Sequence, residues 1–492
     1  MTTTKILARN TVLSVVGQGI PMVAALISIP VLLRNLGAPR FGVLTLAWAA
    51  IGYFSLFDLG LGRALTQAVA ERLGARDAGD GLCDLAWTAL IVMLVLGVVG
   101  GLVLAAVSPW LVRDVLHIPS TLSQESLGAF YLLALSLPSV VSTAGLRGLL
   151  EAHQDFGAAT ALRIPLALFT FLAPLAVLPY SLRLEPIVGV LVVGRFLTWV
   201  AHLVLCLRRY EYLRRRPHAR WAVFAPLIRS GGWMTASNIA SPLMSYLDRF
   251  FIGATLAMTA VAHYVTPYEF VTKLLIFPSA MIAVLFPAFA SSFVDNPRRT
   301  AALFERTLRV LILTTFPILL VVVLFAREGL TAWVGATFAL TSTPVLQWLA
   351  VGVFANAVAQ APFALLQGTG RPDITAKLHL VELPAYILAL SFFAHAYGIV
   401  GVAAAWTLRV VADAVVLIML AKVRVRGLTE GLTQTLLAAG LSLAILALAA
   451  FVAGWPLKFL VLSLALVAFS AFGWSRMLQP DERAFVREWV QS

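Results

Sequence analysis

The sequence predicts an all-α polytopic membrane protein with fourteen transmembrane helices, arranged as two six-helix lobes related by pseudo-two-fold symmetry plus two C-terminal helices. Three observations support this fold class. Only 12% of the 492 residues are charged, against about 25% in a typical soluble protein. Apolar runs of at least ~18 residues, each able to cross the ~30 Å hydrocarbon core, recur along the chain. A weak internal repeat relates the first six runs to the next six.

Fourteen apolar runs, bounded by charges or by glycine and proline, define the predicted spans. They are 11–33, 41–62, 84–108, 126–147, 157–180, 186–207, 231–255, 261–289, 302–326, 342–366, 374–396, 398–420, 431–453 and 456–475. All connections are short, so we expect no sizeable soluble domain. The predicted domains are an N-lobe at 1–208, a basic cytoplasmic linker at 209–229, a C-lobe at 230–421, and the last two spans with a cytoplasmic tail at 422–492.

The distribution of basic residues predicts the orientation of the chain. Of the 36 Lys and Arg residues, 26 lie at the ends and connections on the side of the N-terminus, 6 lie on the opposite side and 4 lie within spans. Cytoplasmic connections carry the excess of Lys and Arg in membrane proteins, so both termini are predicted to be cytoplasmic. The net charge of +13 is therefore a topology signal that also favours contact with anionic phospholipids, and it requires no nucleic acid.

The repeat rests on short matching strings. The sequence IVGV occurs at 187–190 and again at 399–402, followed eight or ten residues later by Arg195 and Arg409. Six spans in each copy give both copies the same orientation, so the axis that relates them runs along the membrane normal. Chance similarity between apolar segments is the alternative explanation.

Charged residues inside the predicted spans are the candidate functional residues. They are Arg195, Asp248, Arg249, Glu269, Lys273, Glu382, Arg409 and Asp413. A charge at the bilayer centre costs roughly 2.5–3.5 kcal/mol on insertion scales, and such residues usually face a bundle interior or a hydrated cavity. At 1.5 Å per residue, three of them share a layer about 10–14 Å below the outer boundary.

These charges have two interpretations. In the structural one they neutralise one another, as the i, i+4 spacing of Glu269–Lys273 and Arg409–Asp413 allows. In the functional one they surround a wet cavity, where the cations hold an anionic substrate and the carboxylates bind H⁺ or Na⁺. Asp58, near a span end, is a further candidate for ion coupling.

Two other sequence features lie near the same layer of the bilayer. Tyr246, Tyr264 and Tyr268 are candidates for stacking on sugar rings, with ordinary packing as the alternative. The span 261–289 contains three prolines, which favour a bend because proline removes a helical hydrogen bond.

Several chemistries have no support in the sequence. It contains no H-E-x-x-H, no D-x-D and no P-loop, and its two cysteines match no metal or redox spacing. We therefore expect no metal, no cofactor and no catalytic residue, so the protein is not predicted to be an enzyme.

Four segments resemble a known family. PVLLRNLGAPRFGVLTLAWAAIGYFSLFDLGLGRALTQAVAERL at 30–73 looks like the opening of the Wzx-type flippases of polysaccharide and lipopolysaccharide biosynthesis. YLDRFFIGATL at 246–256 resembles their seventh helix, and the segment 264–290 resembles their eighth. LLQGTGRPDITAKLHLVELP, ending at Pro384, fits the connection into span eleven. The resemblance covers approximately residues 10–420.

The resemblance implies the fold of the multidrug/oligosaccharidyl-lipid/polysaccharide exporter superfamily. It implies that the substrate is an undecaprenyl-pyrophosphate-linked oligosaccharide, moved by alternating access from the cytoplasmic to the outer leaflet of the bacterial inner membrane. The predicted substrate cavity contains Arg195, Tyr246, Arg249, Tyr268, Lys273 and Arg409. Residues predicted to balance charge or couple ions are Asp58, Asp248, Glu269, Glu382 and Asp413. Polysaccharide-assembly proteins are the expected protein partners.

Three alternatives remain open from the sequence. An ion-coupled multidrug antiporter has the same fold, although its pocket is usually acidic, whereas this deep set has four acids and four bases. A lipid II flippase is a close relative. A membrane glycosyltransferase or polymerase commonly needs a large outer loop or an acidic catalytic motif, and this chain has neither.

Overall fold

The computed structural model describes residues 2–54, 61–74, 80–215, 243–244, 246–425, 430–477 and 483 of the chain. Within these ranges the protein is helical almost throughout and contains no β-strand, which confirms the all-α fold class. Asp58, one of the predicted ion-coupling residues, lies outside the described residues. The predicted basic linker at 209–229 is described only as far as Arg215, where a 3₁₀ turn, Glu211–Arg214, follows the sixth helix.

The helices are numbered in chain order. They are α1 (Thr2–Phe54), α2 (Leu61–Gly74), α3 (Asp80–Trp110), α4 (Ser120–Ala152), α5 (Phe156–Val177), α6 (Leu184–Arg209), α7 (246–255), α8 (Met258–Thr272), α9 (Ile276–Asp295), α10 (Pro297–Leu324), α11 (Ala326–Val334), α12 (Ala336–Gly368), α13 (Pro372–Arg424), α14 (Glu430–Ala449) and α15 (Trp455–Phe472).

Two long helices contain a glycine break. Gly37 in α1 has φ 73° and Gly398 in α13 has φ 60°, a backbone conformation that residues with a side chain rarely adopt. Gly37 lies between the predicted spans 11–33 and 41–62, and Gly398 is the first residue of the predicted span 398–420. At Gly401, just after the second break, any side chain would collide with the Phe393 carbonyl group. Glycine is therefore required at both Gly398 and Gly401 in the second break.

Ten of the described helices are long and apolar enough to cross a membrane. Two of them, 19–54 and 372–424, carry the glycine breaks and so each contain two helical segments. By length and composition the chain is a multi-pass membrane protein, as the apolar runs predicted.

The predicted span 261–289 is interrupted. α8 ends at Thr272, a 3₁₀ turn covers Lys273–Leu275, and α9 begins at Ile276. Pro278 lies in the first turn of α9, where its missing N–H removes no helical hydrogen bond. The bend predicted from the prolines of this segment coincides with the break.

The chain divides into two compact units. The N-unit comprises Val16–Val265 and His379–Pro384, and the C-unit comprises Met1–Val15, Thr266–Leu378 and Ala385–Ser492. The lobe boundaries proposed from the sequence remain a prediction.

In the N-unit, α4 is the central helix and packs against α2, α3 and α6. The α3–α4 contact is close because a Cβ at Gly97 would lie 2.5 Å from Pro138 Cα, and one at Gly101 would lie 2.6 Å from the Ala134 carbonyl oxygen. These glycines form a G-x-x-x-G spacing, which allows helix backbones to approach within a membrane.

A buried carboxylate joins helix ends in the same unit. Glu125 at the start of α4 accepts hydrogen bonds from the Arg40 side chain at 3.0 Å and from the Leu184 backbone N–H at 3.0 Å. The second bond satisfies an N–H of the first turn of α6 that has no partner within its own helix. Glu125 therefore fixes α6 beside α4.

In the C-unit, α12 is the central helix and packs against α9, α10, α11 and α14. Gly352 of α12 leaves room for the Trp406 ring of α13, and the Thr407 hydroxyl donates to the Trp348 carbonyl at 2.7 Å. This contact fixes the face of α13 that carries Arg409 against α12.

Candidate functional site

Asp248 forms the most deeply buried polar network among the predicted site residues. Its side chain is 0% exposed, and that of its neighbour Arg249 is 3% exposed. Asp248 Oδ2 accepts a hydrogen bond from the Tyr264 hydroxyl at 2.6 Å, and Oδ1 accepts one from the Arg249 backbone N–H at 2.8 Å. Buried carboxylates are stable only when hydrogen bonds replace water, and this network supplies them.

The Arg249 guanidinium lies over an aromatic ring. Its Cζ is 5.4 Å from the centroid of Tyr246, within the range of a cation–π interaction. The Tyr246 hydroxyl packs against Gly52 of α1 so closely that a Cβ there would lie 2.7 Å from it. The N-unit therefore brings Tyr246, Asp248 and Arg249 together with Tyr264, one of the tyrosines singled out in the sequence.

Arg195 lies in a different part of the N-unit. It lines a cavity of about 90 Å³ bounded by α4, α5 and α6. Arg147 of α4, Arg163 of α5 and His202 of α6 line the same cavity. We call these four residues the arginine pocket.

Of the four residues of the arginine pocket, only Arg195 was predicted from the sequence as a site residue. Arg147 and Arg163 were counted among the basic residues that indicate topology. The available signal was the position of both arginines inside apolar helical segments, five residues before the end of α4 and seven after the start of α5.

Three aromatic rings pack together at the C-terminal end of α6 in the N-unit. His153 stacks on Tyr210 with a centroid distance of 3.8 Å, and the Tyr212 ring lies 5.8 Å from His153 and 6.1 Å from Tyr210. Burial, with a further contribution from the Asp155 charge, raises the pKa of Tyr210 to about 12. Burial likewise raises the pKa of Tyr212. Both hydroxyls therefore stay neutral at physiological pH.

In the C-unit, Glu269 and Lys273 form an ion pair at the break between α8 and α9. Lys273 Nζ lies 3.1 Å from Glu269 Oε2, and the two side chains are 38% and 16% exposed. The pair confirms the i, i+4 contact expected from the sequence. Because Lys273 begins the 3₁₀ turn, the pair joins the last turn of α8 to the turn that separates α8 from α9.

Two of the other predicted C-unit residues, Tyr268 and Arg409, contact aromatic rings. Tyr268 packs edge-on against Trp406 with a centroid distance of 5.8 Å. The Arg409 guanidinium lies 5.2 Å from the centroid of the buried Tyr386 ring, and Asp413 is buried one turn further along α13. Tyr268 is 9% exposed, so in this structure its ring serves packing within the unit.

Glu382 lies on α13 within the N-unit segment His379–Pro384 and is half-buried. The structure therefore divides the described site residues between the units. Arg195, Tyr246, Asp248, Arg249 and Glu382 belong to the N-unit, and Tyr268, Glu269, Lys273, Arg409 and Asp413 belong to the C-unit. Their assignment to one substrate cavity remains a prediction.

The C-unit also contains two apolar cavities. One of about 400 Å³ lies among α9, α10 and α12 and includes Leu274, the residue after Lys273. The other, of about 270 Å³, lies among α12, α13 and α14. Their linings are almost entirely hydrocarbon, in contrast to the arginine pocket of the N-unit.

Comparison with known proteins places these features in a family. The family model described as polysaccharide biosynthesis protein matches residues 7–293. A Shigella flexneri protein described as an O-antigen transporter is 30% identical over 420 residues, covering 83% of this chain and 96% of that protein.

Two solved structures share the fold at low sequence identity. A MATE family multidrug resistance transporter of the MOP superfamily has a TM-score of 0.73 at 16% identity, covering 84% of this chain and 98% of its own. The lipid II flippase MurJ has a TM-score of 0.70 at 12% identity, covering 95% of this chain and 100% of its own. Because the family model matches more than half of the sequence and the curated relative is 30% identical and matched over nearly its whole length, this chain belongs to the polysaccharide biosynthesis protein family.

Proposed function

We propose that this chain is a flippase that moves an oligosaccharide linked to undecaprenyl pyrophosphate from the cytoplasmic to the outer leaflet of the bacterial inner membrane by alternating access. The observation that carries the proposal is the match to an O-antigen transporter over nearly the whole length of that protein. The structural likenesses to MATE and MurJ support the fold alone, because their sequence identities are low.

Cations in both units provide binding partners for the anionic group of this substrate. A pyrophosphate group attracts arginine and lysine; Arg195 lines a cavity, and the Lys273 side chain is 38% exposed. The carboxylates Asp248, Glu269, Glu382 and Asp413 would balance these cations and exchange H⁺ or Na⁺ during the cycle. Anionic phospholipids would surround the basic cytoplasmic ends, and polysaccharide-assembly proteins would receive the product.

Deleting the gene in its host tests the function. We expect the lipid-linked oligosaccharide to accumulate on the cytoplasmic leaflet, where it stays inaccessible to periplasmic ligation, and expression of the chain to restore surface polysaccharide. Normal delivery in the deletion strain would exclude this substrate. Restored resistance to a cationic drug would favour the antiporter, and replacement of an essential lipid II flippase would favour that activity instead.

Lys273→Ala and Arg195→Gln test the cations in the same complementation assay. We expect each variant to lose most surface polysaccharide while its abundance in the membrane stays normal. Arg113→Gln is the matched control, because Arg113 is an exposed arginine that lies outside both the arginine pocket and the Glu269–Lys273 pair. Full complementation by both test variants would remove these residues from the transport mechanism.

A further inference from the structure

The arginine pocket has an excess of positive charge that the described part of the chain does not balance. Among the described residues, Arg163 and Arg195 make no hydrogen bond or ion pair. Within the part of the chain that the structure describes, Arg147 pairs only with Glu151, at 3.6 Å, and those side chains are 50% and 41% exposed. An exposed pair of this kind contributes little, so the pocket keeps a net positive charge.

Helix packing positions the residues that line the pocket. Gly194, next to Arg195, has no side chain, and the Phe169 ring of α5 occupies the space where a Cβ would lie. This contact fixes α5 against α6 and places Arg163 and Arg195 on the same cavity. The His202 ring is also held, because its Nδ1 lies 2.9 Å from the Thr198 carbonyl oxygen.

The charges extend inward from one end of the unit. At 1.5 Å per residue, Arg147 and Arg163 lie about 8 Å and 10 Å from the α4–α5 connection along their helices, and Arg195 lies about 21 Å from the C-terminal end of α6. This is the end at which the sequence predicts the cytoplasm. An anion entering from that side would meet Arg147 and Arg163 first and Arg195 last.

Size and chemistry restrict the occupant. A cavity of about 90 Å³ holds a few water molecules or a single phosphate group and is too small for an oligosaccharide. Arginine binds phosphate oxygens through two parallel N–H groups, and three arginines on three helices surround such a group from different sides. A drug cation would be repelled.

We propose that the arginine pocket binds the phosphate headgroup of a lipid between α4, α5 and α6 of the N-unit. The headgroup is either the pyrophosphate of the polyprenyl-linked substrate, which rests on the proposed function, or the phosphodiester of an anionic phospholipid, which does not. In both cases the phosphate enters the pocket and the rest of the headgroup stays outside it.

Native mass spectrometry of the full-length protein in detergent tests the proposal. The probes are undecaprenyl pyrophosphate, phosphatidylglycerol and, as a zwitterionic reference, phosphatidylethanolamine. We expect R163Q and R195Q to weaken binding of at least one of the first two lipids about tenfold, and R195K to weaken it about threefold because lysine lacks the paired N–H groups. R113Q removes the same charge outside the pocket and should bind both lipids like the wild type.

The two lipid probes distinguish the substrate from a bilayer phospholipid as the source of the bound phosphate. Loss of undecaprenyl pyrophosphate binding assigns the pocket to the substrate, and loss of phosphatidylglycerol binding alone assigns it to a bilayer lipid. Unchanged affinity for both lipids in folded R163Q and R195Q would overturn the proposal. Because binding is measured without transport, a wild-type protein that binds through the pocket but fails the complementation assay would contradict the proposed function and leave the pocket standing.

Discussion

The N-unit contains two charged regions that satisfy their charges in different ways. Asp248 is fully buried, and the Tyr264 hydroxyl and the Arg249 backbone N–H both donate to it. In the arginine pocket, three arginines line a cavity, and Glu151 is the single carboxylate that pairs with any of them among the described residues. The first region is buried and hydrogen-bonded, whereas the second lines a cavity that a ligand can enter.

Charge within one membrane protein therefore serves two purposes. A charge whose hydrogen bonds are all supplied by the fold contributes to stability, and removing it leaves buried groups without partners. A charge without a partner costs the folded protein free energy that a bound anion recovers. Substitutions in the two regions should therefore separate stability from substrate binding.

The largest expected loss of stability follows Asp248→Ala. The substitution removes the carboxylate that accepts from the buried Tyr264 hydroxyl and from the Arg249 N–H, and a buried group that loses its acceptor costs about 1–3 kcal/mol. We expect the free energy of unfolding to fall by about 3 kcal/mol, measured as a lower midpoint of thermal unfolding in detergent. Asp248→Asn keeps one carbonyl oxygen and should lose less. If Asp248→Ala unfolds like the wild type, the network does not stabilise the N-unit.

Tyr264→Phe should produce about half of that effect. It removes one hydrogen bond to a carboxylate, worth roughly 1.5–3 kcal/mol, while preserving the shape of the buried ring. Thermal unfolding measures the difference, and Tyr397→Phe, at an exposed tyrosine, is the matched control. Equal stability of Tyr264→Phe and the wild type would mean that Asp248 takes its hydrogen bonds elsewhere.

An ion pair at the edge of the C-unit should show a smaller and pH-dependent contribution. Lys458 Nζ lies 2.8 Å from Glu328 Oε1. Partial burial raises the pKa of Glu328, but the hydrogen bond from Lys458, with the charges of Lys458 and Arg327, outweighs burial and holds the pKa below its ordinary value near 4.5.

A carboxyl group whose pKa is lower in the folded state stabilises the protein above its unfolded pKa. The contribution of Glu328, about 1 kcal/mol or less for a partly exposed pair, should therefore be complete above about pH 5 and lost as the pH falls through the folded pKa. Thermal unfolding from pH 7 to pH 4 measures it against Lys458→Met, in which this component should be absent. Identical pH profiles for the wild type and Lys458→Met would contradict the pairing.

Arg195→Gln should have the smallest effect on stability of the four changes. Because no described residue pairs with Arg195, removing its charge should change the free energy of unfolding by at most about 0.5 kcal/mol, or stabilise the protein. Thermal unfolding without added lipid measures this. A loss as large as that of Asp248→Ala would show that Arg195 has a structural partner and would remove the contrast between the two regions.

The sequence was sufficient for the fold because hydrophobicity alone determines which segments cross a membrane. The runs at 84–108, 126–147 and 186–207 correspond to α3, α4 and α6. Gly37 and Gly398 were also informative, because a single residue with positive φ separates two spans that would otherwise be continuous.

The composition of the site was harder to predict, because it depends on which helix faces meet. The i, i+4 rule was enough for Glu269–Lys273, since both residues lie on one helix. The contact of Asp248 with Tyr264 joins α7 to α8, and the arginine pocket joins three helices. Arg147 and Arg163 were read as topology charges because positive-inside counting and ligand binding both place arginine near cytoplasmic helix ends.

Reconstitution of the purified chain into liposomes measures directly whether the chain moves a lipid-linked oligosaccharide and whether Arg195 takes part. The measurement is the rate at which a polyprenyl-pyrophosphate-linked oligosaccharide becomes accessible to a lectin on the opposite side of the bilayer. We predict rapid translocation by the wild type and by Arg113→Gln, and translocation at least tenfold slower by Arg195→Gln at unchanged thermal stability. Equal rates in empty liposomes and in liposomes with the wild-type protein would contradict the proposed flippase function.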